Sequence, residues 1–458
     1  MSRHLILTVV LVILTSSLTQ AQVPVSGDLV PTQAVTLDGK PLTPLARVGL
    51  ERHWFAVVPL YGSERLLLIS LAENMVFAQT NESNLHVYDA ETGQYLWGAN
   101  LAPEATAGST GAMTLLAYPV SVNSTAVFAT GAQKLFSLDR KTGRVLWSTK
   151  LEALPSSGSA ADEERVAVGL STGKLATFFI KNQQPAFMWQ TNGQLSGQPI
   201  IAGPVVAFAS QDGRAYVAAQ EPPRLLFRYR TGGPISASMG TYGTRTLLVP
   251  SEDNNLYAID LFYGETRWSF TTNAPVKQQP LVANDDVYVM NTRGSLTSLD
   301  AQSGQVHWTL STGGGRLLAV GEKRVYLESG FRDLFIVDRQ AGTLVADTNS
   351  IRERAGLNLR EFNITPTNSL TGRLYLASSA GMVVSLREMG RIKPYLLRDP
   401  KAPPFGFVPR QGAGAAPAGA PRAPEPAADA PAAPPAEEKA IPPPDEKTPA
   451  PDDAEKPK

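Results

Sequence analysis

The chain has 458 residues, with 41 lysines and arginines against 41 aspartates and glutamates, so its formal net charge is zero. A general nucleic-acid binder should carry a basic excess, which this composition lacks. The absence of cysteine excludes disulfides, cysteine nucleophiles, Cys-ligated zinc, iron–sulfur clusters and a lipidated N-terminal cysteine.

Residues 1–21 have the pattern of a secretory signal peptide. Arg3 and His4 form a polar start, an apolar run extends from Leu5 to Leu14, and small residues precede Gln22. The apolar run is about half of the roughly 20 residues that a membrane span requires. We therefore predict cleavage and a periplasmic or secreted protein, with an uncleaved anchor as the alternative. No later segment is apolar enough to span a bilayer, and residues 22–44 are expected to be extended.

Residues 45–400 contain a sequence repeat. Four copies have an Asp, a Gly four residues later and a Trp four residues after that, namely DAETGQYLW, DRKTGRVLW, DLFYGETRW and DAQSGQVHW. Their motif residues are Asp89, Gly93, Trp97, Asp139, Gly143, Trp147, Asp260, Gly264, Trp268, Asp300, Gly304 and Trp308.

Four further copies are degenerate. DRQAGTLVA keeps Asp338 and Gly342, and LREMGRIKP keeps Gly390. KNQQPAFMW ends at Trp189 and AQEPPRLLF ends at Phe227, and both have Pro at the position that Gly occupies elsewhere. Copies at spacings of 38 to 50 residues suit a four-stranded propeller blade.

Short alternating strands separated by polar turns surround each copy, which favours β-meanders over βαβ units. The eight copies predict an all-β fold, an eight-bladed β-propeller of four-stranded antiparallel blades, with seven blades as the alternative. Residues 45–60, which include Trp54, are predicted to pair with strands near residues 372–388. That pairing would close the ring and remove the exposed sheet edges.

Each motif residue has a structural role in this prediction. The Asp accepts hydrogen bonds from backbone N–H groups of the turn, the Gly adopts a positive φ, and the Trp covers the join between neighbouring blades. Because these carboxylates recur once per blade, they should encircle the molecule instead of converging on one substrate. We therefore predict turn and blade anchors, and no catalytic residues.

The pattern AxDxxTGxxxW resembles the pyrroloquinoline-quinone (PQQ) repeat, over roughly residues 45–397. That family includes quinoprotein alcohol dehydrogenases and non-catalytic BamB-like propellers, so the resemblance is specific for fold and not for function. The dehydrogenases hold PQQ and Ca²⁺ beside a pair of adjacent cysteines, which this chain lacks. Candidate calcium ligands such as Asn254 and Asp285 are equally good turn formers. We predict no cofactor and no metal site.

Two long connections are predicted to lie near each other on one rim of the ring. They are residues 103–114 and residues 349–362, and the second contains Arg352, Arg354 and Arg360. Insertions on one face of a repeat fold often mark its binding face. These arginines are therefore the predicted partner-binding rim, and two tolerated surface loops are the alternative.

Residues 401–458 include sixteen Pro and sixteen Ala and are predicted to be a disordered tail, acting as a tether or as a passive solubilising segment. The whole pattern predicts an exported, monomeric, non-catalytic scaffold that binds protein or peptide partners in the bacterial cell envelope. A PQQ- and calcium-dependent oxidoreductase and a propeller that binds small molecules or glycans are the alternatives.

Overall fold

The structure is a computed structural model that describes residues 43, 45–102, 117–347, 349, 351 and 361–407. The predicted signal peptide, the extended segment up to residue 42, most of the predicted tail, the connection at 103–114, and Arg352, Arg354 and Arg360 lie outside the described residues. Within the described part of the chain, no helix is long and apolar enough to cross a membrane.

The described residues form β-strands after one short 3-10 helix at Leu45–Val48. The first sixteen strands are β1 (Leu50–Val57), β2 (Leu66–Ala72), β3 (Met75–Thr80), β4 (Asn84–Asp89), β5 (Tyr95–Asn100), β6 (Ser121–Val122), β7 (Ala126–Gly131), β8 (Lys134–Asp139), β9 (Val145–Lys150), β10 (Pro155–Ala161), β11 (Arg165–Leu170), β12 (Lys174–Phe179), β13 (Pro185–Gln190), β14 (Leu195–Ala202), β15 (Val205–Ser210) and β16 (Arg214–Gln220). The remaining strands are β17 (Pro223–Arg230), β18 (Gly240–Tyr242), β19 (Thr246–Pro250), β20 (Asn255–Asp260), β21 (Thr266–Thr271), β22 (Leu281–Ala283), β23 (Asp286–Met290), β24 (Ser295–Asp300), β25 (Val306–Ser311), β26 (Arg316–Val320), β27 (Arg324–Glu328), β28 (Leu334–Asp338), β29 (Leu344–Ala346), β30 (Leu374–Ala377) and β31 (Met382–Glu388).

These strands confirm the predicted eight-bladed propeller. Blades 1 to 7 are each four consecutive antiparallel strands, from β2–β5 in blade 1 to β26–β29 in blade 7. Blade 8 has the order β1–β31–β30, and Ile364 forms an isolated bridge with Ala377 on its inner side. The N-terminal strand β1 therefore closes the ring by pairing with β31, as the sequence predicts.

The core lies between neighbouring blades. In blade 1 every residue of β3 is buried, whereas the outer strand β5 is mostly exposed, because only the inner strands have a blade on both sides. One apolar cluster joins Val87 and Trp97 of blade 1 to Val127 and Leu138 of blade 2. Burial of such clusters at every junction is the main stabilising contribution in this fold.

The ring has two faces with different chemistry. We call one the turn face, because it carries the turns from the first to the second and from the third to the fourth strand of each blade. The other is the loop face, which carries the second-to-third turns and the blade-to-blade connections. In an antiparallel meander alternate turns lie at the same end, so this division applies to every blade.

Residues 389–407, here called the C-terminal strap, lie across the turn face. Main-chain hydrogen bonds connect the strap to blade 8 at Tyr395, to blade 6 at Leu397 and to blade 5 at Gly406, with N···O distances of 2.7, 2.7 and 2.8 Å. Leu397 is buried, and Phe405 packs on the apolar cluster between blades 4 and 5. The packed chain thus continues to residue 407, beyond the predicted propeller boundary at 400, because these apolar side chains find sites on the ring.

Candidate functional site

The motif aspartates hold the turns between the third and fourth strands. Oδ1 of Asp89 accepts hydrogen bonds from the backbone N–H groups of Glu91 and Thr92 and from the Thr92 hydroxyl, at 3.1, 2.8 and 2.9 Å. Asp139, Asp300 and Asp338 accept the corresponding backbone bonds in their own blades. These carboxylates are therefore engaged by their own turns, each in a different blade.

Hydrogen bonding also shifts the acidity of these groups. The Thr142 hydroxyl and N–H lower the pKa of Asp139, and Ser303 does the same to the pKa of Asp300. The pKa of Asp260 is lowered too: burial opposes the shift, but hydrogen bonds led by that of Arg267 outweigh it. A carboxylate stabilised in its charged form is a weak proton acceptor at neutral pH, which suits an anchor more than a general base.

Three motif tryptophans, and Trp54 with them, pack on the glycine turn of the following blade. The indole Nε1 of Trp268 donates to the carbonyl of Ala301 at 3.1 Å, and the ring lies over Gly304. A Cβ at Gly304 would be 2.7 Å from the ring, and this residue has a φ of +74°. The same arrangement joins Trp54 to Gly93, Trp97 to Gly143 and Trp308 to Gly342.

Trp189 does not occupy the position predicted for it. In the other blades the motif aromatic residue pairs with the residue two before the Asp position, as Trp97 pairs with Val87. In blade 3 the residue in that register is Phe187, opposite Thr177. Gln183, with a φ of 62°, takes the glycine conformation. The predicted turn and aromatic positions of this copy, Pro185 and Trp189, are therefore each two residues beyond the observed ones, Gln183 and Phe187.

Amide side chains form hydrogen bonds between neighbouring blades, at or near their inner strands. Gln79 of blade 1 donates to the carbonyl of Tyr118 in blade 2 at 2.7 Å, and Gln279 of blade 6 donates to that of Met239 in blade 5 at 3.0 Å. Gln198 joins blade 4 to the Ser159 carbonyl of blade 3 in the same way. These amide groups are therefore already paired across blade boundaries.

Within the described residues, no group of three or more His, Asp or Glu side chains is arranged to hold a metal ion. A cavity of about 20 Å³ lies beside Gln79 and Thr130, and one of about 10 Å³ lies beside Glu328 and Phe362. Each volume is of the order of a single water molecule.

The loop face presents an aromatic residue on a rigid turn in blade 7. Phe331 is 81% exposed between β27 and β28. Ser329 holds this turn, because its hydroxyl accepts from the N–H groups of Phe331 and Asp333 at 3.1 Å. The Arg332 guanidinium donates to the carbonyl of Asn363 in blade 8, also at 3.1 Å. Hydrogen bonds therefore fix the turn that carries the exposed Phe331 side chain.

A second exposed aromatic residue, Tyr61, lies at the entry to blade 1 and is 74% exposed. Its N–H donates to Oε2 of Glu64 at 3.1 Å. Burial opposes ionisation of Glu64, but hydrogen bonds from Thr80 and Asn84 outweigh it and lower the pKa of that carboxyl. A charged, hydrogen-bonded Glu64 therefore fixes the segment that carries Tyr61.

Hydrogen bonds show that these two segments belong to one rim. Asn363, which accepts from Arg332, also accepts through Oδ1 from the N–H of Ser379 at 2.7 Å, and the Ser379 carbonyl accepts from Leu66 at 3.0 Å. Blades 7, 8 and 1 are therefore linked along the loop face. We call this the aromatic rim, defined by residues 59–65, 329–333, 361–364 and 378–381.

The sequence interpretation missed the aromatic rim. The predicted arginines lie outside the described residues, although the described ends of their connection, Ile351 and Phe362, pack in the apolar cluster of blades 7 and 8. The signal that was available is the turn GFRD, where an aromatic residue replaces the small polar residues found in the other second-to-third turns.

Comparisons with known proteins agree with this fold. The family model described as "Outer membrane protein assembly factor BamB" matches residues 62–226 and 224–395. Outer membrane protein assembly factor BamB of Shewanella oneidensis is 22% identical over 200 residues, which are 40% of this chain and 50% of the relative. The chain thus spans about half the length of that curated relative.

Two solved structures are similar over most of the chain. BamB from Moraxella catarrhalis superposes with a TM-score of 0.59 at 16% identity, covering 75% of this chain and 98% of that one. The computationally designed Ika8 protein gives a TM-score of 0.57 at 14% identity, covering 73% and 99%. At these identities the likeness demonstrates a shared fold.

Proposed function

This chain belongs to the family described as outer membrane protein assembly factor BamB, and from that premise we propose that it is an exported, non-catalytic scaffold. Its role is to bind a protein partner in the bacterial cell envelope through the aromatic rim of its loop face. The name of the matched family and the signal-like pattern of residues 1–21 support the location.

The observation that carries the proposal is the exposure of Phe331 on a fixed turn. Keeping a large aromatic ring in water is unfavourable, and such residues are common energetic centres of protein interfaces. A backbone that is already ordered loses little conformational entropy on binding. Tyr61 adds a second aromatic group on the same rim, so the rim has the character of a preorganised binding surface.

The use of the other face supports the choice of the loop face. On the turn face the C-terminal strap lies over blades 8, 6 and 5, and the motif tryptophans and aspartates are engaged in contacts within and between blades. Those groups therefore serve the stability of the ring. The loop face keeps its aromatic side chains available to a partner.

Site-specific photocrosslinking in the organism that encodes the chain tests this proposal. A photoreactive phenylalanine analogue at position 331 or 61 should give a discrete adduct with an envelope protein. The matched control is position 263, because Tyr263 is 69% exposed but lies on the turn face. Fractionation of the same cells should place the protein outside the cytoplasm.

The outcomes separate clearly. An adduct formed from positions 331 and 61 and absent from position 263 supports binding through the aromatic rim. Equal adducts from all three positions, or none from the two rim positions, would contradict it. Recovery of the mature protein in the cytoplasm would contradict the envelope location.

A further inference from the structure

The outer strand of blade 4 carries an unusual charge. Strand β17 contains Arg224, Arg228 and Arg230, all three exposed. Among the described residues, none of these guanidinium groups has a hydrogen bond or an ion pair with another side chain. Three arginines without partners on one eight-residue strand form the most strongly basic outer edge in the described part of the ring.

Several charged groups on other outer strands are paired. Arg267 on β21 contacts Asp260 at 2.8 Å, His307 on β25 lies 3.5 Å from Asp286, and Glu51 on β1 contacts Arg387 at 2.7 Å. These pairs neutralise charge locally and occupy the side chains. Strand β17 therefore differs from its counterparts in carrying three cations without an ion pair, whereas β1 and β9 carry one each, Arg52 and Lys150.

The strand register separates these arginines into two groups. Arg228 pairs with Tyr216 and Arg230 pairs with Arg214 of β16, so both side chains lie on the side of the sheet that faces blade 3. Arg224 pairs with Ala219 and lies on the opposite side. Arg228 and Arg230 are two residues apart on one side, which corresponds to about 6.8 Å along the strand.

The surface around these two arginines is fixed. Asp212 is largely buried, and it accepts an ion pair from Arg214 at 3.3 Å and a hydrogen bond from the Tyr216 hydroxyl at 2.5 Å. Its negative charge is therefore neutralised by Arg214. Tyr216 stacks on Phe208 with ring centroids 5.2 Å apart. Arg228 and Arg230 therefore stand beside an ordered wall, with no carboxylate of the described residues left to neutralise them.

We propose that β17 is a second docking surface, which binds an extended acidic segment of a protein partner. The strand ends the order of its sheet, so its outer backbone edge has no partner strand among the described residues. An added strand would use that edge, as in other β-strand additions. Carboxylates at alternate positions of the segment would match the spacing of Arg228 and Arg230, and charge complementarity selects an acidic peptide.

This surface is distinct from the aromatic rim. Blade 4 stands opposite blade 8 in a ring of eight, and β17 is an outer strand, whereas the rim lies on the loop face of blades 7, 8 and 1. The two surfaces can therefore be occupied at the same time. The inference goes beyond the proposed function, since it adds a partner of defined chemistry.

Fluorescence anisotropy with a synthetic peptide tests the inference. The probe is a labelled peptide of alternating Glu and Thr, and the control peptide has Gln in place of Glu. We expect the double variant Arg228→Gln/Arg230→Gln to bind the probe at least about tenfold more weakly than the unchanged protein. The matched control Arg224→Gln, on the same strand but the other side, should change affinity less than about twofold. Binding should weaken as salt rises from about 50 mM to about 500 mM.

Three results would overturn the inference. They are an absence of saturable binding, equal binding of the Gln peptide, and an equal loss in Arg224→Gln, which would indicate that net charge alone matters. Equal thermal melting of the variants shows that folding is intact, and Lys replacements at 228 and 230 provide folded variants that keep the charge. The crosslinking from position 331 is independent, so failure here leaves the proposed function standing.

Discussion

Blades 1 and 3 build the same turn with different residues. In blade 1 the turn uses Asp89 and Gly93, and the aromatic ring of Trp97 packs on the next blade. In blade 3 Phe179 stands at the Asp position, Gln183 adopts the positive φ, and Phe187 is in the aromatic register. Blade 4 keeps only the aromatic residue, Phe227, which lies over Gly264.

The comparison shows which part of the repeat the ring requires most. The turn can be made with or without its Asp and Gly, but an aromatic side chain occupies the register position in all blades except blade 7, where it is Ala346. This group joins one blade to the next, whereas the Asp acts within a single turn. The contact between blades is therefore the more general requirement in this chain.

The largest effect should follow from removing an aromatic side chain that packs between two blades. Trp268→Ala deletes a buried indole and its bond to Ala301, and we expect a loss of about 3–5 kcal/mol in the free energy of unfolding. Trp189→Ala is the matched control, because Trp189 is half-buried and lies two residues beyond Phe187, which occupies the aromatic register position in blade 3. Chemical denaturation checks both, and equal losses would contradict the distinction between the two positions.

The strap adds contacts to blade 4, whose turn between the third and fourth strands has neither the Asp nor the Gly of the motif. Gly406 of the strap lies against Ala202 of that blade. Truncation after Lys401 removes Phe405 and the bond from Gly406 to Thr244. We expect a loss of about 2 kcal/mol. Truncation after Phe407 should leave the thermal melt unchanged. If both truncations melt alike, residues 402–407 contribute nothing to the ring.

Gln183→Gly tests how much the missing glycine of the blade 3 turn costs in stability. A non-glycine residue at a φ of 62° is strained, so glycine at this position should stabilise the protein by up to about 1 kcal/mol. Gly304→Ala is the opposite test, because its φ of +74° and its contact with Trp268 exclude a side chain. Thermal melting measures both, and a destabilising Gln183→Gly would show that the glutamine side chain makes a needed contact.

The smallest effect concerns acid stability. The pKa values of Asp139 and Asp300 are lowered in the folded protein from an ordinary value of 3.8, so these groups stabilise it above that pH and lose the effect as the pH falls through the lowered pKa. The double variant Asp139→Asn/Asp300→Asn should therefore melt at a slightly lower temperature than the unchanged protein at pH 7, and this difference should shrink as the pH falls below 3.8. Melting curves from pH 7 to acid check this, and an unchanged profile would contradict it.

The sequence predicted the all-β propeller, its eight blades and its closure by the segment that contains Trp54, because the repeat has a regular period. It did not predict the strap, since residues 389–407 have no strand periodicity and their anchors, Leu397 and Phe405, do not belong to a repeating apolar pattern. It also missed Phe331, because exposure of a single ring in a turn follows from tertiary hydrogen bonds that no local pattern shows.

The pairing of Leu50 with Glu388 has a consequence for the order in which the protein folds. Blades 1 to 7 are local meanders and can form from neighbouring residues, whereas blade 8 requires contact between distant parts of the chain. Contacts of such long sequence separation form slowly, because closure of the loop costs chain entropy. Until blade 8 forms, the apolar faces of blades 1 and 7 that pack against it and the backbone of β1 remain exposed and can contact other chains. Aggregation during folding should therefore compete mainly with this last closure step.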